Sequence, residues 1–163
     1  MNQLLTAITI GALVALAGCQ RSRNETVPPI VPMLAADLII SKIAGPTNGT
    51  RSQSISIAVT NKNIGNFMAG TSRTGVYICS NTNNVYGGVL LIACDMGSIT
   101  AGASRGFITN ATIPATAPTG SVFLSAIADD PRVFGASQQE LQPLVTESNE
   151  NNNTNSTPIT ILP

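Results

Sequence analysis

The chain is 163 residues long, and its eight basic residues balance its eight acidic ones, so the formal net charge is zero. Charged residues make up 10% of the chain, against a usual fraction of about 25%. This composition provides no electrostatic basis for binding nucleic acid. Histidine is absent, which removes the usual general base and the commonest transition-metal ligand. Tryptophan is also absent, so the core must consist of Ile, Val, Leu and Ala, a composition that favours β-strands.

The N-terminal segment MNQLLTAITIGALVALAGC contains an apolar run that is too short to span a bilayer and ends in small residues. Such a segment predicts a secretory signal rather than a membrane helix. Leu16-Ala17-Gly18-Cys19 resembles the lipobox of bacterial lipoproteins, in which the cysteine thiol is lipidated and becomes the first mature residue. One departure is that no Lys or Arg precedes the apolar run. The resemblance implies a signal peptide over residues 1–18 and lipid attachment at Cys19; the alternative is an ordinary signal peptide with a chance cysteine.

Residues 20–35, QRSRNETVPPIVPMLA, contain three prolines and show no hydrophobic periodicity. Together with Cys19 they predict a lipidated tether over residues 19–35, long enough to hold a domain about 50 Å from the lipid. The alternative is a first strand over residues 30–34. Gln20 stands where Asp would resemble an inner-membrane retention signal. In a double-membraned bacterium, the lipoprotein resemblance therefore implies a cell-envelope protein anchored in the outer membrane.

From Asp37 onward, apolar and polar residues alternate, and Gly, Asn and Pro interrupt the pattern at regular intervals, which is typical of a β-sandwich. The predicted strands cover residues 37–44, 53–62, 74–80, 89–95, 104–113, 121–129 and 156–162. The predicted inward-facing side chains are Ile55, Ile57, Val59, Phe107, Ile113, Val122, Leu124, Ala126, Ala128, Ile159 and Ile161. A domain over residues 36–163 is large enough to fold alone.

The segments ADLIISKIAGPTNGT, SISIAVTNKNIGN, the AGAS turn and the closing VTESNENNN stand in the order of these strands. They resemble the CARDB family, the cell-adhesion-related domain found in bacteria, over residues 36–161. The resemblance implies an all-β, immunoglobulin-like sandwich of about seven strands, which agrees with the strand pattern. It also implies extracytoplasmic binding or adhesion to an unknown protein or cell-surface partner. The chain departs from the family in a long insert over residues 130–144, DPRVFGASQQELQPL, which is the candidate contact surface.

Four acidic residues are predicted to lie close together where one strand ends and the last begins: Asp129, Asp130, Glu147 and Glu150. Without a catalytic triad, a phosphate loop or sugar-binding aromatic residues, they do not predict an enzyme. The ESNENNN segment, residues 147–153, supplies oxygen ligands of the kind that Ca²⁺ binds, but it lacks the EF-hand spacing. The favoured interpretation is an ordered turn into the last strand. A calcium site at these residues and a disordered Asn tract are the alternatives, and no cofactor is predicted.

Cys79 and Cys94 remain once Cys19 is lipidated, and they fall on adjacent predicted strands. Export into an oxidising compartment makes them a disulfide candidate, with two buried free thiols as the alternative. The sequence as a whole predicts a lipid-anchored, non-catalytic binding or adhesion module. The alternative is a structural envelope component, with or without calcium as a stabiliser, whose sandwich spaces or stabilises a larger assembly.

Overall fold

The computed structural model describes residues 33–132 and 143–163. The predicted signal peptide, most of the predicted tether and the middle of the insert lie outside the described residues. The described residues form eight strands and one short 3-10 turn, Val85–Gly87. The strands are β1 (Leu38–Ala44), β2 (Asn48–Thr50), β3 (Ser54–Asn63), β4 (Ser72–Cys79), β5 (Val89–Met96), β6 (Ser104–Thr112), β7 (Gly120–Ile127) and β8 (Thr154–Leu162). In this part of the chain no helix has the length and apolar character that crossing a membrane requires.

The strands form two sheets that pack against each other through one hydrophobic core. The three-stranded sheet has the order β1-β3-β6, and the five-stranded sheet has the order β2-β8-β7-β4-β5. All neighbouring pairs are antiparallel except β2 and β8, which run parallel. Leu38 and Ile57 from the first sheet pack in the same core as Leu124 and Ile159 from the second, and each is at most 2% exposed. This arrangement is an immunoglobulin-like β-sandwich, which confirms the predicted fold class.

All seven predicted strands are present, with ends that differ from the prediction by no more than two residues. The prediction missed β2, because its three residues, Asn-Gly-Thr, carry no hydrophobic alternation. The predicted inward-facing side chains are all buried except Phe107, which is half-buried.

The last strand is an interior member of the five-stranded sheet. It pairs with β7 from Thr154 to Ile161 and with β2 on its other side. Ile159 and Ile161 are 2% and 1% exposed, and burial of each side chain contributes about 1.5–3 kcal/mol to folding. The predicted closing strand is therefore confirmed, and the ESNENNN segment forms the turn that leads into it.

The predicted disulfide is wrong, because Cys79 and Cys94 are both free. Their strands are neighbours, but the antiparallel register places Cys94 opposite Thr74, five residues before Cys79 on β4. Five residues of strand span roughly 17 Å, whereas a disulfide requires Cα atoms within about 7 Å. Cys79 is buried with its Sγ atom 3.1 Å from the Ser125 hydroxyl, and Cys94 is half-buried.

Candidate functional site

The acidic residues lie at the proximal end of the sandwich, which we define as the end where β1 begins and β7 ends. The turn before β8 contacts the start of the described chain there. Ala36 forms a parallel bridge with Glu147, and the Ser148 backbone N–H donates to the Ala36 carbonyl at 2.8 Å. The start of the domain and the acidic turn are therefore held together.

Glu147 anchors this turn from within, since it is only 9% exposed. Its Oε2 atom accepts a hydrogen bond from the Leu38 backbone N–H, and its Oε1 atom accepts one from Asn153 Nδ2 at 3.0 Å. Burial raises the pKa of this carboxyl to about 7; the Leu38 hydrogen bond opposes the rise, and the nearby charge of Glu150 adds to it. Because both oxygens are engaged, Glu147 ties the turn to β1.

Asp129 lies two residues after the end of β7, and its backbone adopts the left-handed conformation with φ of 47°. It is 2% exposed. Its Oδ2 atom accepts a hydrogen bond from the Val145 backbone N–H at 2.7 Å. Its Oδ1 atom is buried and has no hydrogen-bond partner among the described residues. Burial raises the pKa of Asp129, while the hydrogen bond from Val145 opposes that rise. One carboxylate oxygen of Asp129 is thus not engaged by this part of the protein.

Asp130 belongs to a separate group on the outer face of the five-stranded sheet. Its Oδ2 atom accepts a hydrogen bond from the Tyr77 hydroxyl at 2.5 Å, and its Oδ1 atom accepts one from the Arg132 backbone N–H at 3.0 Å. The Arg132 guanidinium lies over the Tyr86 ring, 4.2 Å from the ring centroid. Glycine at position 75 permits this approach, since a Cβ atom there would stand 1.9 Å from Asp130 Oδ2. These contacts fix the first residues of the insert against β4.

A pocket of about 430 Å³ separates the end of β7 from the turn before β8 and from the 3-10 turn. Its polar lining comes from carboxylates, amides and hydroxyls, and its apolar lining from small and branched side chains. The polar residues are Thr82, Asn83, Asn84, Tyr86, Asp129, Glu150, Asn151, Asn153 and Thr154, and the apolar ones are Val85, Ile127, Ala128, Pro131 and Pro143.

The structure therefore brings together three of the four acidic residues expected to be neighbours, Asp129, Glu147 and Glu150, and turns Asp130 away. In residues 33–132 and 143–163, no three Asp, Glu, Cys or His side chains converge closely enough to hold a metal ion by themselves. Sequence reasoning missed the buried amide of Asn153 and the Tyr77–Arg132–Tyr86 stack. Asn153 lies in the ESNENNN run, but the run itself does not indicate which amide points inward.

Exposed apolar side chains also cluster at the proximal end, in two segments that lie side by side. The backbone N–H groups of Asn66 and Phe67 donate to the Ala35 carbonyl at 3.1 and 3.2 Å. We call the apolar residues of these segments the proximal apolar patch. It consists of Met33, Leu34, Ile64, Phe67 and Met68, whose exposures range from 48% to 81%. The patch surrounds the point at which the described chain begins.

The side chain of Asn63, which is fully buried, holds the two segments of the patch in place. Its Nδ2 atom donates to the Phe67 carbonyl at 2.7 Å and to the Ile99 carbonyl at 3.0 Å. Its Oδ1 atom accepts from the backbone N–H groups of Asp37 at 3.1 Å and Gly65 at 3.0 Å. All four hydrogen-bonding positions of the amide are used.

Fold and site together define an immunoglobulin-like β-sandwich module with an acidic turn and an apolar patch at one end. The CARDB family model matches residues 35–157, well over half of the chain, and the protein belongs to the CARDB family. The resemblance inferred from the sequence motifs is thus confirmed. Membership associates the domain with adhesion-related, non-catalytic modules of bacteria.

Two solved structures of one CARDB domain, from the PF1109 protein of Pyrococcus furiosus, are similar to this chain. The crystal structure, a complex with di-metal ions, has a TM-score of 0.54 at 20% identity and covers 78% of this chain and 90% of that chain. The solution structure has a TM-score of 0.54 at 21% identity, covering 80% and 98%. At this identity the likeness shows the fold alone.

A β-glucosidase from Listeria innocua has a TM-score of 0.44 at 13% identity, and the match covers 77% of this chain but only 16% of that chain. This likeness carries no functional argument. No curated protein matches the chain.

Proposed function

We propose that this protein is a lipid-anchored, non-catalytic binding or adhesion module of the bacterial cell envelope. The CARDB domain supports the module, and the Leu16-Ala17-Gly18-Cys19 motif supports the anchor. The structural observation that carries the proposal is the proximal apolar patch. The proposed tether runs in sequence into Met33 and Leu34 of this patch, and a tether of this length would let the apolar surface reach the lipid.

The patch supplies a second membrane contact in addition to the proposed acyl chains. Two or more acyl chains already make an attachment stable, so the patch adds to the anchor and is not required for attachment. Aromatic and apolar side chains placed at the membrane interface contribute by burying apolar area. With the proximal end against the lipid, the opposite end of the sandwich faces outward.

Substitution of Cys19 tests the anchor. In a double-membraned bacterial host, the full chain is expected in the membrane fraction, and Cys19→Ser is expected to be soluble or to remain an uncleaved precursor. The matched control is Cys94→Ser, which removes a different thiol and is expected to stay in the membrane fraction. Normal processing and membrane fractionation of Cys19→Ser would refute lipid anchoring.

A fluorescent probe tests the orientation. Because the chain contains no tryptophan, Phe67→Trp introduces a single emitter into the patch. In lipidated protein reconstituted into vesicles, its emission should shift to the blue and be quenched by brominated lipids. Ile108→Trp is the control, because Ile108 is 80% exposed on β6 and lies outside the patch. Equal quenching at the two positions would contradict a membrane-facing patch.

The insert provides the test that separates binding from a spacer role. Replacing residues 133–142 with a Gly-Ser linker of equal length keeps Asp130 and Arg132, which fix the stem of the insert. Loss of cross-linked partners on intact cells, with unchanged thermal unfolding, would support the insert as the contact surface. Unchanged cross-linking would remove the insert from the binding role and favour a module that spaces or stabilises an assembly.

A further inference from the structure

Three side-chain oxygens near the proximal end are buried without a hydrogen-bond partner among the described residues: Oδ1 of Asp129, of Asn152 and of Asn153. A carboxylate oxygen and amide oxygens are all acceptors, so they cannot satisfy one another. Buried acceptors in native proteins nearly always have a partner, and each exception requires an explanation.

The pairing of β7 with β8 brings two of these oxygens to one pocket. Ile127 pairs with Thr154, and the Ala128 backbone N–H donates to the Asn153 carbonyl at 2.8 Å. Asn153 immediately precedes Thr154, Asp129 immediately follows Ala128, and both line the pocket described above. They are 2% and 8% exposed, so their unpartnered oxygens are held inside the protein.

Charge indicates what kind of partner is missing. The pocket is lined by two carboxylates, those of Asp129 and Glu150, and by no Lys or Arg among the described residues. The Glu150 Oε1 atom accepts the Glu147 backbone N–H at 3.0 Å, which orients the carboxylate and leaves its second oxygen available. The partner missing from these oxygens is therefore a positively charged group that binds several oxygen ligands.

We propose that this pocket binds a hard divalent cation of the Ca²⁺ type, held by Asp129 Oδ1, Asn153 Oδ1 and the free oxygen of Glu150. Ca²⁺ takes six to eight oxygen ligands from carboxylates, amides, backbone carbonyls and water. Thiolate and imidazole ligands, which select transition metals, do not line the described part of the pocket. The ligand set differs from the four acidic residues considered from the sequence, because Asp130 and Glu147 are engaged elsewhere.

The position of the site gives the cation a structural role. Asp129 immediately precedes the insert, and Glu150 and Asn153 follow it, so a bound ion would join the two stems of residues 130–144. The inference does not depend on lipid anchoring. Cell fractionation tests the anchor and metal titration tests the cation site, so a negative result in one leaves the other unaffected.

The test uses the full chain after treatment with chelator. Titration calorimetry with CaCl₂ is expected to show one binding event, and thermal unfolding is expected to occur at a higher temperature in millimolar Ca²⁺ than in chelator. Glu150→Gln, an exposed substitution that should leave the fold intact, is expected to weaken Ca²⁺ binding at least tenfold, as is Asp129→Asn. The control is Asp95→Asn, which removes the same charge from a side chain that is 82% exposed, and it should bind as the wild type does.

Two results would overturn the proposal. The first is wild-type protein that shows neither binding heat nor a calcium-dependent change in melting temperature. The second is a calcium effect that does not depend on the proposed ligands. Such an effect would persist in both Glu150→Gln and Asp129→Asn, or Asp95→Asn would weaken it equally.

Discussion

Replacing Asn63 with alanine is expected to destabilise the proximal end more than any exposed substitution. The change removes four hydrogen bonds, two donated to the Phe67 and Ile99 carbonyls and two accepted from the Asp37 and Gly65 N–H groups. An ordinary hydrogen bond contributes about 1 kcal/mol net, so the expected loss in the free energy of unfolding is about 4 kcal/mol. That is a large share of a typical 5–15 kcal/mol total.

Urea unfolding followed by far-UV circular dichroism measures this loss. Asn110→Ala is the matched control, because Asn110 is exposed on β6, and its change should stay within about 0.5 kcal/mol. Amide hydrogen exchange adds a local readout, since the N–H groups of Asp37 and Gly65 lose their acceptor and should exchange faster. A loss below about 1 kcal/mol for Asn63→Ala, with unchanged exchange at both amides, would show that the buried side chain does not hold the two segments together.

Three further predictions concern buried groups. Tyr77→Phe removes the hydroxyl that donates to Asp130. The free energy of unfolding, measured with denaturant, should fall by about 1–3 kcal/mol because a buried carboxylate loses its donor. An unchanged unfolding midpoint would contradict this prediction. The pKa of Glu147, about 7 in the folded protein against an ordinary 4.5, means that the folded state holds the proton more tightly. In chelator, the stabilisation that protonated Glu147 provides should be complete below pH 4.5. The free energy of unfolding should then fall by about 3 kcal/mol as the pH rises through 7, and Glu147→Gln should flatten this profile. A wild-type profile as flat as that of the variant would refute the raised pKa. Alkylation without reductant should label both Cys79 and Cys94 in denatured protein, and Cys94 should react first in native protein because it is less buried. If neither cysteine of the denatured protein were labelled, the two would be joined by a disulfide after all.

Local alternation of side chains was enough to predict seven of the eight strands, and the turn tendency of Asn was enough to predict the closing turn. Successive side chains of a strand point to opposite faces, so Ile55, Ile57 and Val59 indicate both the strand and its buried face. The same rule identified Ile159 and Ile161. These features depend only on neighbours along the chain, and the structure confirms them. The motifs that resemble CARDB likewise stand within short segments, and the family match confirms the resemblance.

Strand pairing decided what the alternation pattern could not. Cys79 and Cys94 do lie on neighbouring strands, but their separation depends on the register of β4 with β5, and register is set by contacts across the whole sandwich. The short strand β2 lies at the edge of its sheet and pairs in parallel with β8, which is more than 100 residues away in the chain.

For the four acidic residues too, the sequence predicted one part of the arrangement and the tertiary structure decided the other. The sequence placed Asp129, Asp130, Glu147 and Glu150 near one another, and the turn does bring three of them together. The chain turns after β7, and Asp129 adopts the left-handed backbone conformation there. Asp130 then meets Tyr77 on the outer face of the sheet, while Asp129 accepts the Val145 backbone N–H and lines the pocket. Which amide of the ESNENNN run joins Asp129 depends on the pairing of β7 with β8, because that pairing places Asn153 beside the end of β7.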